Sequence, residues 1–333
     1  MRHRSLTEDV YNQKRLHSAL GYKFSIQFEM EIALNTIVKL FVNYQGCSPQ
    51  MNHNTSPKII KKVAIPNIWL WFSVLVSILV TITSLSGIFL ERTYSRETEA
   101  WAVQAIGQDY ANLAVVILLL VSTYYVSKNS LRSYLVWLGA YFNIIYVFAI
   151  YAFAIHFNFL FLIYIIILGM SFFTLVGGLK AIDIANLSAS FLLNTKSKIV
   201  SALLMIIAIL FSLLWLSEIV PSLLSNEIPS SLVETGLWVN PVYVLDLAFI
   251  LPGMVITSIL LRRRNMLGFL LAVPLMVFSA TMGAGIISMF IISAIRGLPS
   301  SLPAGMIIGL IMLLSIYYSY LFLREVKEYD YDY

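Results

Sequence analysis

The stretch Ile199–Val220, IVSALLMIIAILFSLLWLSEIV, carries a single charged residue, Glu218. A helix needs about 20 consecutive apolar residues to cross the hydrocarbon core of a bilayer. Strands of a membrane barrel alternate apolar with polar positions over about 10 residues, and this stretch does not alternate. It therefore predicts a transmembrane helix.

Similar apolar runs lie on both sides of this stretch. Together they predict eight spans, at residues 67–90, 110–127, 131–155, 157–179, 199–220, 242–261, 267–292 and 302–322. Helices satisfy their own backbone hydrogen bonds, as lipid requires. The predicted fold class is an all-α integral membrane protein with about eight transmembrane helices.

The composition agrees with a membrane location. Hydrophobic residues make up 59% of the chain and charged residues 12%, against about 25% charged in a soluble domain. The net charge of +5 lies in short loops, so we expect the lipid bilayer as partner and no nucleic acid for the membrane region. One cysteine, Cys47, and four scattered histidines predict no metal site and no cofactor.

The positive charges alternate between the two ends of the predicted spans. Three lie at one end (Arg92, Arg96, Arg296), and thirteen lie at the other: Lys58, Lys61, Lys62, Lys128, Arg132, Lys180, Lys196, Lys198, Arg262, Arg263, Arg264, Arg324 and Lys327. Cytoplasmic loops carry the excess of Lys and Arg. We therefore expect both termini in the cytoplasm, and a location in the bacterial cytoplasmic membrane or an internal membrane.

Residues 1–50 differ from the rest because they contain no run of span length. The segment Tyr11–Tyr22, YNQKRLHSALGY, is followed by Phe28-Glu29. It resembles the C-terminal tail of insertion-sequence transposases with an integrase-like DDE core. Phe24-Ser25 stands where that family usually has Ser-Pro. The region 51–333 resembles no family that its sequence lets us name.

The resemblance implies an origin rather than an activity. The family's three catalytic carboxylates lie upstream of this tail, and the adjacent Glu8 and Asp9 cannot replace a dispersed triad. We interpret residues 1–50 as a transposase-tail remnant without function, with Met51 as a plausible native start and 51–333 as the membrane domain. DNA integration remains a remote alternative that rests on the tail alone.

The two halves of the membrane domain have a matching order of long loops, acidic residues and basic turns. Long segments follow the first and fifth spans, at 91–109 and 221–241, and each leads into a helix with an acid near its start. Tight basic turns, 128–132 and 262–267, then precede the third and seventh spans. This predicts two parallel four-helix repeats in which Asp109 and Asp246 correspond. Ordinary alternation of loop lengths is the alternative.

Ionisable residues within spans carry the site hypothesis, because charge is expensive to place in hydrocarbon. The candidates are Asp109, Asp246 and Glu218, with Gln108 and Asn240 beside them. Together they predict a polar vestibule at the outer leaflet that binds a cation or relays a proton. Alternatively, the acids lie at headgroup level, where a helix N-terminus favours Asp.

Three functions stay open. A permease-like transporter of a small solute or ion fits the spans, the repeat and the acids. A non-catalytic accessory or structural membrane subunit fits the lack of chemical motifs. A membrane enzyme acting on lipids would need a nucleophile or metal set, and the sequence contains no Ser/His/Asp set and no paired-His spacing. We therefore predict that the protein is not an enzyme.

Overall fold

The structure, a computed structural model, describes residues 65–182, 196–298 and 301–326, all within one compact unit. Eight helices in these ranges are long and apolar enough to cross a membrane. They are α1 (Asn67–Phe89), α2 (Glu99–Ser127), α3 (Leu131–Ala154), α4 (Phe161–Lys180), α5 (Ser197–Ser225), α6 (Pro241–Arg262), α7 (Met266–Ile295) and α8 (Leu302–Glu325). The predicted multi-pass helical membrane fold is confirmed. The N-terminal segment 1–50 lies outside the described residues.

Helix α2 begins at Glu99, well before the predicted start at residue 110. Its first turns contain Glu99, Gln104 and Gln108, whose polarity hides the helix from a search for apolar runs. Thr98 caps the helix, its side chain accepting a hydrogen bond from the Trp101 N–H. Asp109 is therefore well inside the helix, and its predicted place near the helix start was wrong.

Several other boundaries also differ from the prediction. Helix α5 continues through Pro221 to Ser225, where the sequence suggested a loop. Helix α4 begins at Phe161 rather than at residue 157, because residues 155–160 form the connection from α3. A 3₁₀ turn, Glu91–Thr93, and a short helix, Ser230–Thr235, occupy the two long connections.

The packing within the two halves is similar. In the first half, α1 packs against α2 and α4, while α3 packs against α2 and α4. In the second half, α6 packs against α5 and α7, α7 also packs against α8, and α5 touches α8. Helix α7 joins the halves by packing against α2 and α3. Helix α3 is the most buried of the eight.

The turns after α2 and α6 match in detail. Asn129 and Arg264, 135 positions apart, both adopt positive φ, at 65° and 54°. The next residues, Ser130 and Asn265, donate their N–H groups to Tyr125 and Leu260 and cap the following helices. Hydrogen bonds at one constant offset agree with the predicted repeat.

Helices α3 and α7 meet at residues with the same offset. A Cβ on Gly139 would lie 2.8 Å from the carbonyl oxygen of Pro274 and 2.6 Å from Cβ of Val277. Gly139 and Pro274 are again 135 positions apart, as expected where two equivalent helices cross at a twofold axis. At this offset, however, Val244 rather than Asp246 corresponds to Asp109. The two acids are therefore not strict repeat partners.

Candidate functional site: two buried carboxylates

Asp109 lies in the interior of the helix bundle, with 0% of its surface exposed. The Tyr94 hydroxyl donates to its Oδ2 at 2.6 Å, and the Tyr151 hydroxyl donates to its Oδ1 at 3.0 Å. Each oxygen of the carboxyl group thus has one tyrosine donor. The acid does not lie at headgroup level in the first turn of a helix, so that alternative is wrong for Asp109.

Tyr94 belongs to the connection between α1 and α2, which turns its ring back into the bundle. The 3₁₀ turn Glu91–Thr93 precedes it, and the Thr93 hydroxyl donates to the Ser86 carbonyl at 2.8 Å. Burial, together with the negative charge of Asp109, raises the pKa of the Tyr94 hydroxyl well above its usual range. Tyr94 therefore keeps its proton and acts as a donor.

Other small and polar side chains complete the wall around Asp109. A Cβ on Gly87 would overlap the carboxylate and the Tyr94 hydroxyl, so only glycine fits at that position of α1. Ser84 and Asn112 lie next to the carboxylate. The Ser84 hydroxyl and the Asn112 amide nitrogen are buried and have no hydrogen-bond partner in the described structure. Spare hydrogen-bonding capacity therefore adjoins Asp109.

The contacts of Tyr151 suit either protonation state of Asp109. Its hydroxyl also lies 3.2 Å from the Ala105 carbonyl oxygen. When Asp109 is ionised, Tyr151 donates to the carboxylate. When Asp109 carries a proton, the acid can donate to Tyr151, which then donates to Ala105, because a phenol oxygen both donates and accepts. No hydrogen bond need be lost when the proton moves.

Asp246 forms a second, similar site in the other half. The Tyr146 hydroxyl donates to Oδ1 at 2.9 Å, and the Trp215 indole N–H donates to Oδ2 at 2.8 Å. The acid is 8% exposed and therefore less enclosed than Asp109. Tyr146 also packs edge-on against Phe278 of α7, with 5.2 Å between ring centroids. Side chains of α3 and α5 thus bind Asp246, and α7 packs against one of them.

The backbone of α6 changes geometry at Asp246. Residues Asp246–Ile250 form a π-helical turn, and the Leu251 N–H donates to the Asp246 carbonyl. Pro252 explains the distortion, because its ring has no N–H and clashes with the carbonyl four residues before it in a regular α-helix. Such turns occur frequently at functional sites.

The three remaining predicted residues have local partners. Glu218 accepts hydrogen bonds from the Tyr243 hydroxyl and from the Ser231 N–H at 3.2 Å. The Gln108 amide donates to Asn112 at 3.0 Å, and its oxygen packs against Gly285 of α7. Asn240 caps α6 by accepting from the Val242 N–H at 2.9 Å. Asn240 is therefore a helix cap.

These contacts do not bring the predicted residues together into a single vestibule. Asp109 and Asp246 share no hydrogen-bond partner, although α3 supplies a tyrosine to each. The five predicted residues line neither of two clefts that indent the described surface. The larger, of about 550 Å³, lies between Phe153, His156 and Trp238. The acids instead occupy two separate enclosed sites.

Sequence reasoning missed the donors at both sites. Tyr94, Tyr146, Tyr151 and Trp215 look in the sequence like ordinary aromatic residues of spans and loops. The available signal was that Tyr146 lies well inside a predicted span, away from the interfaces where tyrosine is enriched. Gly87 gave no signal, because only its neighbours in space require it.

In the part of the chain that the structure describes, neither acid is paired with a cationic side chain. Glu97 and His156 form an ion pair at 2.8 Å elsewhere, and within the same ranges no group of three His, Cys, Asp or Glu side chains is placed to hold a metal ion. In comparisons with known proteins, no family model, curated protein or solved structure matches the chain. The function is therefore argued from these two sites.

Proposed function

We propose that the protein is a permease-like transporter that moves a small solute or cation, with Asp109 and Asp246 as its proton- or cation-binding groups. The observation that supports this most is the complete burial of Asp109 without a cationic side chain beside it in the described structure. Ionisable groups inside a membrane bundle commonly mark ion pathways and proton relays.

The cost of burial makes an empty, charged Asp109 unfavourable. A carboxylate removed from water and left without a counter-ion loses its hydration, and two neutral hydroxyl donors recover only part of that loss. Binding a proton or a small cation removes the charge. Ser84 and Asn112, with unused hydrogen-bonding groups, adjoin the carboxylate and supply further oxygen and nitrogen atoms there.

Asp246 is the better placed of the two acids to respond to movement. Its partners come from α3 and α5, so a shift of either helix against α6 changes the hydrogen bonds of the acid. The π turn makes the backbone of α6 irregular at Asp246. In this proposal Asp109 is a fixed binding group and Asp246 senses the relative position of the halves.

Infrared difference spectroscopy of the full chain in lipid vesicles tests the proposal. Spectra recorded in acidic and alkaline buffer are expected to show the carbonyl stretch of a carboxylic acid that gains or loses a proton. The component of the band that belongs to Asp109 is expected to be lost in Asp109→Asn, which keeps the size of the side chain. Glu227→Gln changes an exposed acid and is the matched control, since it leaves the band intact.

Sodium and potassium salts extend the same test to cations. If Asp109 binds a cation, one of these salts shifts the pH at which the band appears in the wild type but not in the Asn variant. A wild-type spectrum that lacks any band dependent on Asp109 or Asp246, under all of these conditions, would contradict the proposal.

A second candidate is a non-catalytic accessory or structural subunit, and the packing of Gly87 favours it. In that case the tyrosine–carboxylate contacts only fasten α1, α2 and α3 together, and nothing binds. Asp109→Asn would then lower the unfolding temperature without removing any response to pH or salt. The two candidates thus differ in ligand response and not in stability.

We infer from the charge distribution that the turns after α2 and α6 face the cytoplasm. Cysteine labelling tests this orientation in intact bacterial cells, after Cys47→Ser removes the native thiol. A membrane-impermeant maleimide is expected to label Gly297→Cys and not Asn129→Cys. The opposite labelling pattern would reverse the orientation.

We also propose that residues 11–29 descend from a transposase tail and take no part in the membrane function. The support is the YNQKRLHSALGY motif in a segment without span-length apolar runs. A chain starting at Met51 is expected to insert into membranes and unfold at the same temperature as the full chain. A clearly lower unfolding temperature would assign the segment a structural role.

A further inference from the structure

A second cleft, of about 280 Å³, opens between α2, α3 and α8 at the end of the bundle where most Lys and Arg lie. We name it the Arg324 cleft. Its deep wall consists of Leu118, Val121 and Val136, and its mouth carries Tyr125, Arg132, Tyr320 and Arg324. The cleft therefore combines an apolar interior with a cationic, hydroxyl-bearing rim.

The tyrosines place the mouth of the cleft at the level of lipid headgroups. Tyr125 and Tyr320 are both more than half exposed, and such amphipathic rings favour the membrane interface. Leu118 is seven residues before Tyr125 on α2, which places it about 10 Å deeper in the bilayer. The apolar wall thus lies at the depth of acyl chains.

The rim has the charge and geometry to hold a phosphate. Arg324 is exposed in the last turn of α8, its guanidinium 5.6 Å from the centre of the Tyr320 ring. Arg132 donates two hydrogen bonds to the Val326 carbonyl, which fixes its guanidinium beside the end of α8. Guanidinium groups bind phosphate oxygens through paired hydrogen bonds.

Charged residues near the cleft also favour the binding of a phosphate. Lys128, one turn beyond Tyr125, adds a positive charge and lies over the Tyr124 ring, 5.7 Å from its centre. Glu325 does not line the cleft, and it accepts a hydrogen bond from the Lys196 backbone N–H. The charged side chains that line the cleft, Arg132 and Arg324, are both positive, and this lining favours an anionic ligand.

We propose that the Arg324 cleft is a binding site for one anionic phospholipid, with its phosphate at Arg324 and one acyl chain against Leu118, Val121 and Val136. A volume of 280 Å³ falls below the roughly 300–1,000 Å³ typical of pockets that enclose a whole small ligand. The cleft therefore holds the upper part of the lipid, and the rest of both chains extends into the bilayer. Basic clefts between membrane helices bind anionic headgroups in this way.

Native mass spectrometry of the full chain tests the site with two lipids that differ only in headgroup charge. Phosphatidylglycerol, which is anionic, and phosphatidylcholine, which is neutral, are added stepwise with the same acyl chains. One phosphatidylglycerol is expected to bind before any phosphatidylcholine. Arg324→Gln is expected to weaken that binding about fivefold, the effect of one basic side chain near the membrane surface.

Two further variants separate a site from general attraction. Arg263→Gln removes an exposed arginine at the same end that does not line the cleft, and it is expected to leave binding unchanged. Val136→Trp fills the apolar wall and is expected to remove the bound lipid; a single size-exclusion peak checks that this variant folds. Arg324→Gln lies on the surface and keeps the test valid if Val136→Trp does not fold.

Other results of the same experiments would overturn the proposal. Equal losses in Arg324→Gln and Arg263→Gln, or equal binding of both lipids, would reduce the effect to general surface attraction and overturn the proposal. Displacement of the lipid by inorganic phosphate would show a free-anion site instead of a phospholipid site. Binding that survives inorganic phosphate, is weakened in Arg324→Gln and is lost in Val136→Trp supports the proposal.

Discussion

The carboxyl groups of Asp109 and Asp246 are both bound by two aromatic donors, yet they are held by different means. Asp109 is fully enclosed, lies in a regular part of α2, and takes both donors from the first half of the chain. Asp246 is slightly exposed, lies on a π turn, and takes Tyr146 from the first half and Trp215 from the second. The first site is a closed cage, and the second is a junction between the halves.

The two sites differ in which segments supply the donors. A cage whose walls come from neighbouring segments stays intact when the two halves move relative to each other. A junction whose donors come from separate halves changes whenever they move. Four pairs of substitutions test the contrast.

Gly87→Ala tests the closed cage. The new methyl group would overlap the Asp109 carboxylate, so we expect a loss of about 3 kcal/mol in the free energy of unfolding. Gly169→Ala is the matched control on α4, where nothing lies within 4 Å of the added Cβ, and it is expected to gain about 0.5–1 kcal/mol. Unfolding in detergent with added denaturant measures both values. Similar results for the two variants would show that the cage is not closely packed.

Tyr151→Phe and Tyr146→Phe compare the two tyrosine donors of α3. Each substitution removes one hydroxyl from a buried carboxyl group, a loss of about 1.5–3 kcal/mol when the acceptor is charged. We expect the larger loss in Tyr151→Phe, because Asp109 is fully enclosed, whereas Asp246 is 8% exposed and is the easier of the two carboxyl groups to solvate. Equal losses would remove the distinction between cage and junction.

Pro252→Ala tests the irregular segment at the junction. Alanine restores the backbone N–H and removes the clash that favours the π turn, so α6 is expected to gain about 1 kcal/mol of local stability while rotating Asp246 away from Tyr146. A change in Trp215 fluorescence is the measurement. Pro274→Ala on α7 is the control, because no π turn accompanies that proline. Unchanged fluorescence in Pro252→Ala would show that the proline does not set the position of Asp246.

Arg264→Gly and Asn129→Gly compare the matched turns of the two halves. Both positions have positive φ, which costs about 1 kcal/mol for most side chains and less for asparagine. We therefore expect Arg264→Gly to gain about 1 kcal/mol and Asn129→Gly to change stability very little. Thermal unfolding in detergent is the measurement, and a gain in Asn129→Gly equal to that in Arg264→Gly would contradict the expected difference.

Much of the architecture was predictable from local sequence. Apolar runs located all eight spans, and the turns after α2 and α6 were found from their basic residues. The prediction was wrong at the start of α2 and at the end of α5. Polar side chains such as Gln108 do not end a helix that is packed against its neighbours. Helix α5 continues through Pro221 to Ser225, although none of its residues from 211 to 225 is buried. The length of an apolar run indicates how much of a helix contacts lipid, and the helix itself can extend beyond that run.

The candidate site was predictable only in part. The acids were chosen because few charged residues occur within spans, and this choice required no knowledge of the fold. Their depth was misjudged together with the start of α2. Asn240 was included as a polar group beside an acid, whereas a helix start at Pro241 makes it a cap.

The pattern of residues was enough to predict that this protein crosses a membrane about eight times and carries acids in its spans, because both properties follow from the solvation of single segments. The enclosure of Asp109 by Tyr94, Tyr151 and Gly87, and the connection of Asp246 to both halves through Tyr146 and Trp215, became visible in the folded chain. Those residues are separated by up to about one hundred positions in the chain and are ordinary span residues in isolation. Their roles arise from which helices pack together, and a local pattern does not contain that information.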